Sequence, residues 1–271
     1  MTVPRIHLTP ATGPAGAPLL VLGPSLGTST ILWDDVVPAL AWTHRVVAWD
    51  LPGHGASPAA SDAFTMGELA DAVANAVADL GERRVRYAGV SIGGATGLEL
   101  MLRHPELVTE AAIVASGAQL GTPDSWHERS AQVREQSTSS LIIASAQRWF
   151  APDSIARRPE ATGRLLHVLQ QADDESYALA CEALAAYDVR DRLDAIEAPV
   201  LAAWGEHDRV APEARAHEIA AGVRRGRASR IDGAAHLPPA EQPEAVADLL
   251  LRFFAEAGVR ADEMGATDAS A

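Results

Sequence analysis

No lysine occurs in the 271 residues, so all 22 cationic side chains are arginines. With the abundance of alanine, this absence reads as the composition of a GC-rich genome, although arginine also suits carboxylate recognition. It leaves no Gly-Lys-Ser/Thr ending, which a phosphate-cradling loop of the P-loop type requires. Cysteine is reduced to Cys181. A lone thiol forms no internal disulfide and has no neighbouring cysteine for a metal site, which fits a reducing compartment and a packing role. Apolar runs are short, none approaching the roughly 20 residues that span a bilayer. The N-terminus has no basic segment followed by an apolar one, so a soluble, cytoplasmic protein is expected. Positive charge is also in deficit, 22 residues against 36 acids for a net charge of -14. Phosphate backbones and anionic membranes would be repelled, which argues against nucleic acid and lipid as partners; a homo-oligomer stays open.

What is present is a regular alternation. Leu19 to Leu22, Arg45 to Trp49, Val85 to Ala88, Ala111 to Ala115, Val200 to Trp204 and Ala228 to Ile231 read as strands separated by amphipathic stretches. Runs that are apolar throughout suit strands covered on both faces, so the pattern predicts an α/β protein with a mostly parallel central sheet. Met66 to Leu80 carries the helical period, with Met66, Leu69, Ala70, Val73, Ala76, Val77 and Leu80 on one stripe and Gly81 as the stop. The alternation breaks between Ala118 and Asp188, a stretch of helical character rich in arginine, glutamine and serine. The expected organisation is a core in two parts, residues 1–118 and 191–258, with a helical cap at 119–190 inserted after a core strand. Small, polar and acidic residues from 259 to 271 read as a disordered tail.

Gly89-Val90-Ser91-Ile92-Gly93 follows one of the strand candidates and precedes a helical stretch. At so sharp a strand-to-helix turn a serine takes strained backbone angles and lifts its Oγ above the sheet, with glycines beside it to avoid collisions. A serine hydroxyl attacks carbonyl carbon only when a base takes its proton and a third group orients that base. His236, in Gly233-Ala234-Ala235-His236-Leu237, and Asp208, in Gly205-Glu206-His207-Asp208, each follow a strand candidate. Ser91, Asp208 and His236 thus form a nucleophile, acid and base set at the carboxyl edge of the sheet. Asp232 and Glu206 are weaker choices of acid, His207 is read as a loop residue and His54 as structural. Two N–H donors should receive the oxyanion: Ile92 supplies one, and Leu26 in the loop after the first long strand candidate the other, with Ser25 as runner-up. Pro24 has no N–H to give.

These residues resemble the α/β-hydrolase superfamily, and within it the 3-oxoadipate enol-lactonases. Pro24-Ser25-Leu26-Gly27-Thr28 is similar to that family's Ser-Leu-Gly-Thr loop, and Trp33-Asp34, Gly53-His54-Gly55-Ala56-Ser57 and Gly89 to Gly94 match it in order. So do Gly121-Thr122-Pro123 leading to Trp126 and Arg129, Arg148-Trp149-Phe150, and Tyr187-Asp188-Val189-Arg190-Asp191 in the expected cap. The resemblance implies the α/β-hydrolase fold and a serine hydrolase that opens the ring of 3-oxoadipate enol-lactone, a step in aromatic compound degradation. It implies an acyl-enzyme, a small carboxylated lactone or ester as partner, and no metal or cofactor. Ser25, Trp126, Arg129 and Trp149 are the expected substrate contacts, and Arg129, Arg134 or Arg148 would pair with the substrate carboxylate. A carboxylesterase or a carbon-carbon bond hydrolase would share the core motifs, and a low-turnover ligand receptor could keep the same triad.

Overall fold

Seven strands make one sheet in the order β1-β3-β2-β4-β5-β6-β7. They are β1 (His7–Leu8), β2 (Leu19–Gly23), β3 (Arg45–Asp50), β4 (Val85–Val90), β5 (Val108–Val114), β6 (Val200–Gly205) and β7 (Gly226–Ile231). The structure, a computed structural model, describes residues 3–268. Every neighbouring pair is parallel except β1 with β3 at the edge. The six strands expected from apolar runs are all present; β1, two residues long, is too short to show a period. β2 and β6 are buried at every position, as parallel strands covered on both faces must be.

Helices α1 (Val37–Leu40), α2 (Met66–Asp79) and α3 (Ile92–Arg103) fill the crossovers of the first half. In α2 the Thr65 hydroxyl accepts from the Glu68 amide while the Glu68 carboxylate accepts from the Thr65 amide, a reciprocal cap that fixes where the helix starts. Its buried stripe follows the sequence period at Met66, Leu69, Ala70, Val73 and Val77, while Ala76 is only half-buried and Leu80 falls outside it. Leu80 is the C-cap residue and is exposed, because Gly81 turns the chain away at φ 79°.

No strand lies between β5 and β6. That stretch holds α4 (Pro123–Gln136), α5 (Ile142–Trp149), α6 (Ser154–Arg157), α7 (Pro159–Gln171) and α8 (Asp174–Ala185), with α4 packed along α8. Arg158 and Arg164 of this stretch pair with Asp35 and Asp34 in the first half of the chain. Cys181 is fully buried in α8, where burial pushes its thiol up to about 12 and keeps it protonated. The chain closes with α9 (Glu213–Gly222), α10 (Pro238–Glu241) and α11 (Pro243–Asp268). The irregular tail expected from 259 is instead helical as far as Asp268, a stretch supplied with helix-forming alanine, arginine, glutamate and methionine. Residues 269–271 lie outside the described residues. Among the described residues no helix is long and apolar enough to cross a membrane.

The strand order decides where a ligand can sit. β2 runs on to β3 on one side of it, whereas β4, its other neighbour, runs through α3 to β5 on the far side. The loops after β2 and β4 therefore diverge and leave a crevice at the carboxyl edge. Register sets Gly23 opposite Gly89, which brings the two loops level. Close approach follows from the absence of side chains, since a Cβ on Gly93 would lie 2.5 Å from the Pro24 carbonyl oxygen. Beneath it, the fully buried Tyr87 donates its hydroxyl to the Gly93 carbonyl at 2.7 Å. Tyr87→Phe should lower unfolding free energy by about 1 kcal/mol, with an unchanged m-value in urea; no measurable loss would contradict the stabilising role of this bond.

Candidate active site

Ser91 stands between β4 and α3 at φ 55°, ψ -118°, a conformation that L side chains rarely adopt. Such strain costs on the order of 1–3 kcal/mol and persists only when the surroundings impose it. They do so here through three bonds. The Ser91 amide donates to Val114 O at 2.9 Å, and the Ser91 carbonyl accepts from Ser116 Oγ at 2.7 Å and the Ala95 amide at 2.9 Å. Gly89 is required on the strand side, as a Cβ there would lie 2.4 Å from the Gly93 carbonyl. Ser91 lines a cavity of about 240 Å³ together with Ser25, Leu26 and His236.

His236 follows β7 and Asp208 follows β6, and the parallel pairing of these strands carries both residues to one edge. The Nδ1–H of His236 donates to Asp208 Oδ2 at 3.0 Å and to Oδ1 at 3.2 Å, and both side chains are almost wholly buried. Oδ1 also accepts from the amides of Val210 and Ala211 at 2.8 and 3.0 Å, which fixes the plane of the carboxylate. With Nδ1 occupied, Nε2 of the neutral ring carries the lone pair, as a base requires. The weaker candidates lie elsewhere: Asp232 is ion-paired with Arg230, and Glu206 accepts from the Gly233 amide. His207 is exposed beside Glu206.

In the loop after β2 almost every amide is committed. Ser25 N donates to Thr28 Oγ1 at 3.0 Å, Thr28 N to Ser25 O at 3.0 Å, and Gly27 N to His54 Nε2 at 3.2 Å. Among the described residues no acceptor takes the Leu26 amide, and the Ile92 amide at the start of α3 is in the same position. Buried N–H groups without acceptors are rare; Leu26 lines the cavity and Ile92 directly follows Ser91, which also lines it, so the two amides are suited to an incoming anion. The Ser25 amide is committed to Thr28, whereas the Leu26 amide, on a residue that lines the cavity, is not. The contact from His54 was not visible in the sequence, which showed only a histidine in a tight turn. Its Nδ1–H donates to Pro52 O at 2.9 Å, and its ring stacks on Tyr177 of α8 with centroids 5.9 Å apart. Burial pushes His54 down to about 4.

The arginines divide sharply. Arg134 is ion-paired with Glu175 and Glu182 and is absent from the cavity lining, whereas Arg129 and Arg148 both line it. Arg129 lies over the Trp126 ring, 5.2 Å from its centroid, and Arg148 donates Nε to the Ala144 carbonyl of its own helix. Burial and the charge of Arg129 hold Arg148 below the usual arginine range. Arg209, which the sequence reading overlooked because it is simply the residue after Asp208, also lines the cavity. Among the described residues none of these three is paired with a carboxylate. Trp126 and Trp149 wall the cavity, the former donating Nε1 to Leu120 O at 2.6 Å. Among the described residues no group of three or more His, Cys, Asp or Glu side chains could hold a metal ion.

The His54 contact makes a prediction about acid. Its folded value lies below the ordinary 6.5, so the unfolded chain binds the extra proton first and folding stability falls as pH drops from 6.5 toward 4. His54→Gln keeps a side-chain acceptor without that titration. Between about pH 7 and pH 4 the stability of the parent relative to this variant should fall by on the order of 3 kcal/mol in urea unfolding; a constant difference would refute the assignment.

The sequence pattern of the α/β hydrolase fold family matches residues 18–243 of this chain. The chain is 32% identical over 246 residues to 3-oxoadipate enol-lactonase 2 of Acinetobacter baylyi, covering 90% of this chain and 92% of that one. It is 29% identical over 244 residues to a pimeloyl-[acyl-carrier protein] methyl ester esterase of Neisseria meningitidis, covering 86% and 91%. The crystal structure of the enol-lactonase from Burkholderia xenovorans LB400 superposes with a TM-score of 0.89 at 31% identity, covering 92% of this chain and 96% of that one. With a family pattern that spans most of its length and a shared overall shape, the chain belongs to the α/β hydrolase fold family.

Proposed function

We propose that the protein is a serine hydrolase that opens the ring of a small carboxylated enol-lactone, with 3-oxoadipate enol-lactone as its substrate. The observation that carries this reading is the pairing, in one small cavity, of Ser91 and His236 with the guanidinium groups of Arg129 and Arg148, neither paired with a carboxylate among the described residues. The likeness to enol-lactonases over most of the chain supports the same substrate class. Residues 119–190 serve as a cap over the site, and the lone buried thiol suits a reducing cytoplasm.

In the reaction Nε2 of His236 takes the Ser91 proton as Oγ bonds to the lactone carbonyl carbon. Asp208 holds the imidazole and stabilises the charge it gains. The oxyanion is received by the amides of Leu26 and Ile92. The ring C–O bond then breaks, and His236 returns its proton to the departing enol oxygen. That enol becomes a ketone, which disfavours re-closure. Water, deprotonated by His236, attacks the acyl-enzyme carbonyl, and the Ser91–acyl bond breaks as His236 returns its proton to Ser91 Oγ, which releases the acid and restores the free enzyme. Arg129 and Arg148 hold the distant carboxylate throughout. Their mutual repulsion is relieved by an anion between them, so an anionic substrate is favoured over a neutral ester of equal size.

Ser91→Ala should abolish loss of the enol-lactone absorbance while leaving the unfolding midpoint close to that of the parent; undiminished turnover would refute the nucleophile. Arg148→Gln should raise KM for the carboxylated lactone by about 10- to 100-fold and leave KM for a neutral short-chain ester nearly unchanged. If the parent turns over neutral esters and not the lactone, the carboxylesterase reading replaces this one.

A further inference from the structure

Of the buried carboxylates that the reaction as derived does not use, Glu241 is the one bonded to the loop that carries His236. Glu241 ends α10, five residues after His236, and only 5% of it is exposed. Its Oε1 accepts from the Ala151 amide at 2.6 Å and from Ser154 Oγ at 2.8 Å, and its Oε2 accepts from the Ala235 amide at 2.8 Å. One carboxylate thereby joins the residue just before His236 to the segment that follows α5. The reverse link lies alongside, since the Trp149 carbonyl accepts from the amides of His236 and Leu237 at 3.1 and 3.3 Å. All three amides around the histidine are therefore held, and every holder is Trp149 or is itself bonded just beyond it. From the other side the backbone of β6 abuts the same loop, where a Cβ on Gly205 would lie 2.0 Å from the Ala235 carbonyl oxygen. The loop can shift only if that strand or the 149–154 segment shifts with it.

We infer that Glu241 is a positioning residue that sets the imidazole of His236 by tying Ala235 to Ala151 and Ser154. The inference rests on the proposed role of His236 as base. A carboxylate suits this place because it only accepts, and three donors converge on it. Glutamine has the same shape but must turn an NH₂ group toward the Ala235 amide or toward the Ala151 and Ser154 donors, so one side of the tie becomes repulsive. Burying a carboxylate without a paired cation at hydrogen-bonding distance is costly, and the three donors offset that cost. Helix formation alone would have been served by an exposed residue at this position.

The test reads the imidazole and the nucleophile separately in the full-length protein. In Glu241→Gln, phosphonylation of Ser91 by a fluorophosphonate should slow by about 10- to 100-fold, and the low-field proton resonance of the His236 Nδ1–H bonded to Asp208 should broaden or vanish. A folded variant with an unchanged rate and an unchanged resonance would overturn the proposal. If Glu241→Gln does not fold, Ser154→Ala removes a single bond of the tie and should slow phosphonylation by about 2- to 5-fold; an unchanged rate there overturns it equally. Should the parent itself fail to react, the hydrolase reading is at fault, and the imidazole resonance in the parent and the variants still decides the role of Glu241.

Discussion

A serine held at φ 55° is the constraint around which the site is arranged. The conformation is costly for any residue with a side chain, so it survives only where neighbouring backbone can come close enough to grip it. Glycine makes that approach available at Gly89 and Gly93, and the Val114 carbonyl, the Ser116 hydroxyl and the Ala95 amide complete the grip. The same bare backbone lets the Gly93 amide reach the Pro24 carbonyl at 2.9 Å, which couples the turn to the loop after β2. The serine and the Leu26 amide thus occupy fixed relative positions, although β2 and β4 are far apart in sequence.

The electrostatics of the molecule are uneven in a way that suits an anionic ligand. The chain is acidic overall, and many of its arginines are drawn into surface ion pairs that contribute little each. Around the cavity the pattern reverses, with Arg129, Arg148 and Arg209 present and the nearby Asp208 turned toward His236. A guanidinium stacked on Trp126 and another held below its usual range by burial are less hydrated than their surface counterparts. Less hydration has to be stripped from them when a carboxylate arrives, and the field acting on that carboxylate is less screened.

Much of this arrangement was legible in the order of residues. Apolar runs located the inner strands because a strand buried on both faces must be largely apolar, whereas β7, at the edge, mixes Arg227, Ser229 and Arg230 with its apolar residues and is only partly buried. Gly89 to Gly93 marked the turn because that spacing of small residues permits it. Asp208 and His236 could be chosen because strand ends at one edge of a parallel sheet converge. What stayed hidden depended on contacts across the fold. Leu26 was preferred to Ser25 already in the sequence, and the commitment of the Ser25 amide to Thr28 Oγ1 adds a physical ground for that preference. Arg134 was as good a candidate as Arg148 until Glu175 and Glu182 were found against it. Glu241 sits in Pro239-Ala240-Glu241-Gln242, where nothing local distinguishes it from a solvated turn residue. The end of α11 was misjudged for the opposite reason, because a polar composition with good helix formers is compatible with either state.

The helices from α4 to α8 leave the sheet after β5 and return at β6, and these two strands are immediate neighbours. The ends of the excursion therefore lie side by side, as they do in a hairpin, whatever the length or shape of what is strung between them. Such a junction can accommodate a different set of helices without disturbing the pairing of any strand, and the serine turn after β4 belongs to the part that would not change. The walls of the cavity at Trp126, Arg129, Arg148 and Trp149 all belong to the exchangeable part. The part that could be exchanged is nonetheless not free of the rest, because Trp149, Ala151 and Ser154 reach across to the loop that carries His236, and any replacement would have to supply those same backbone contacts.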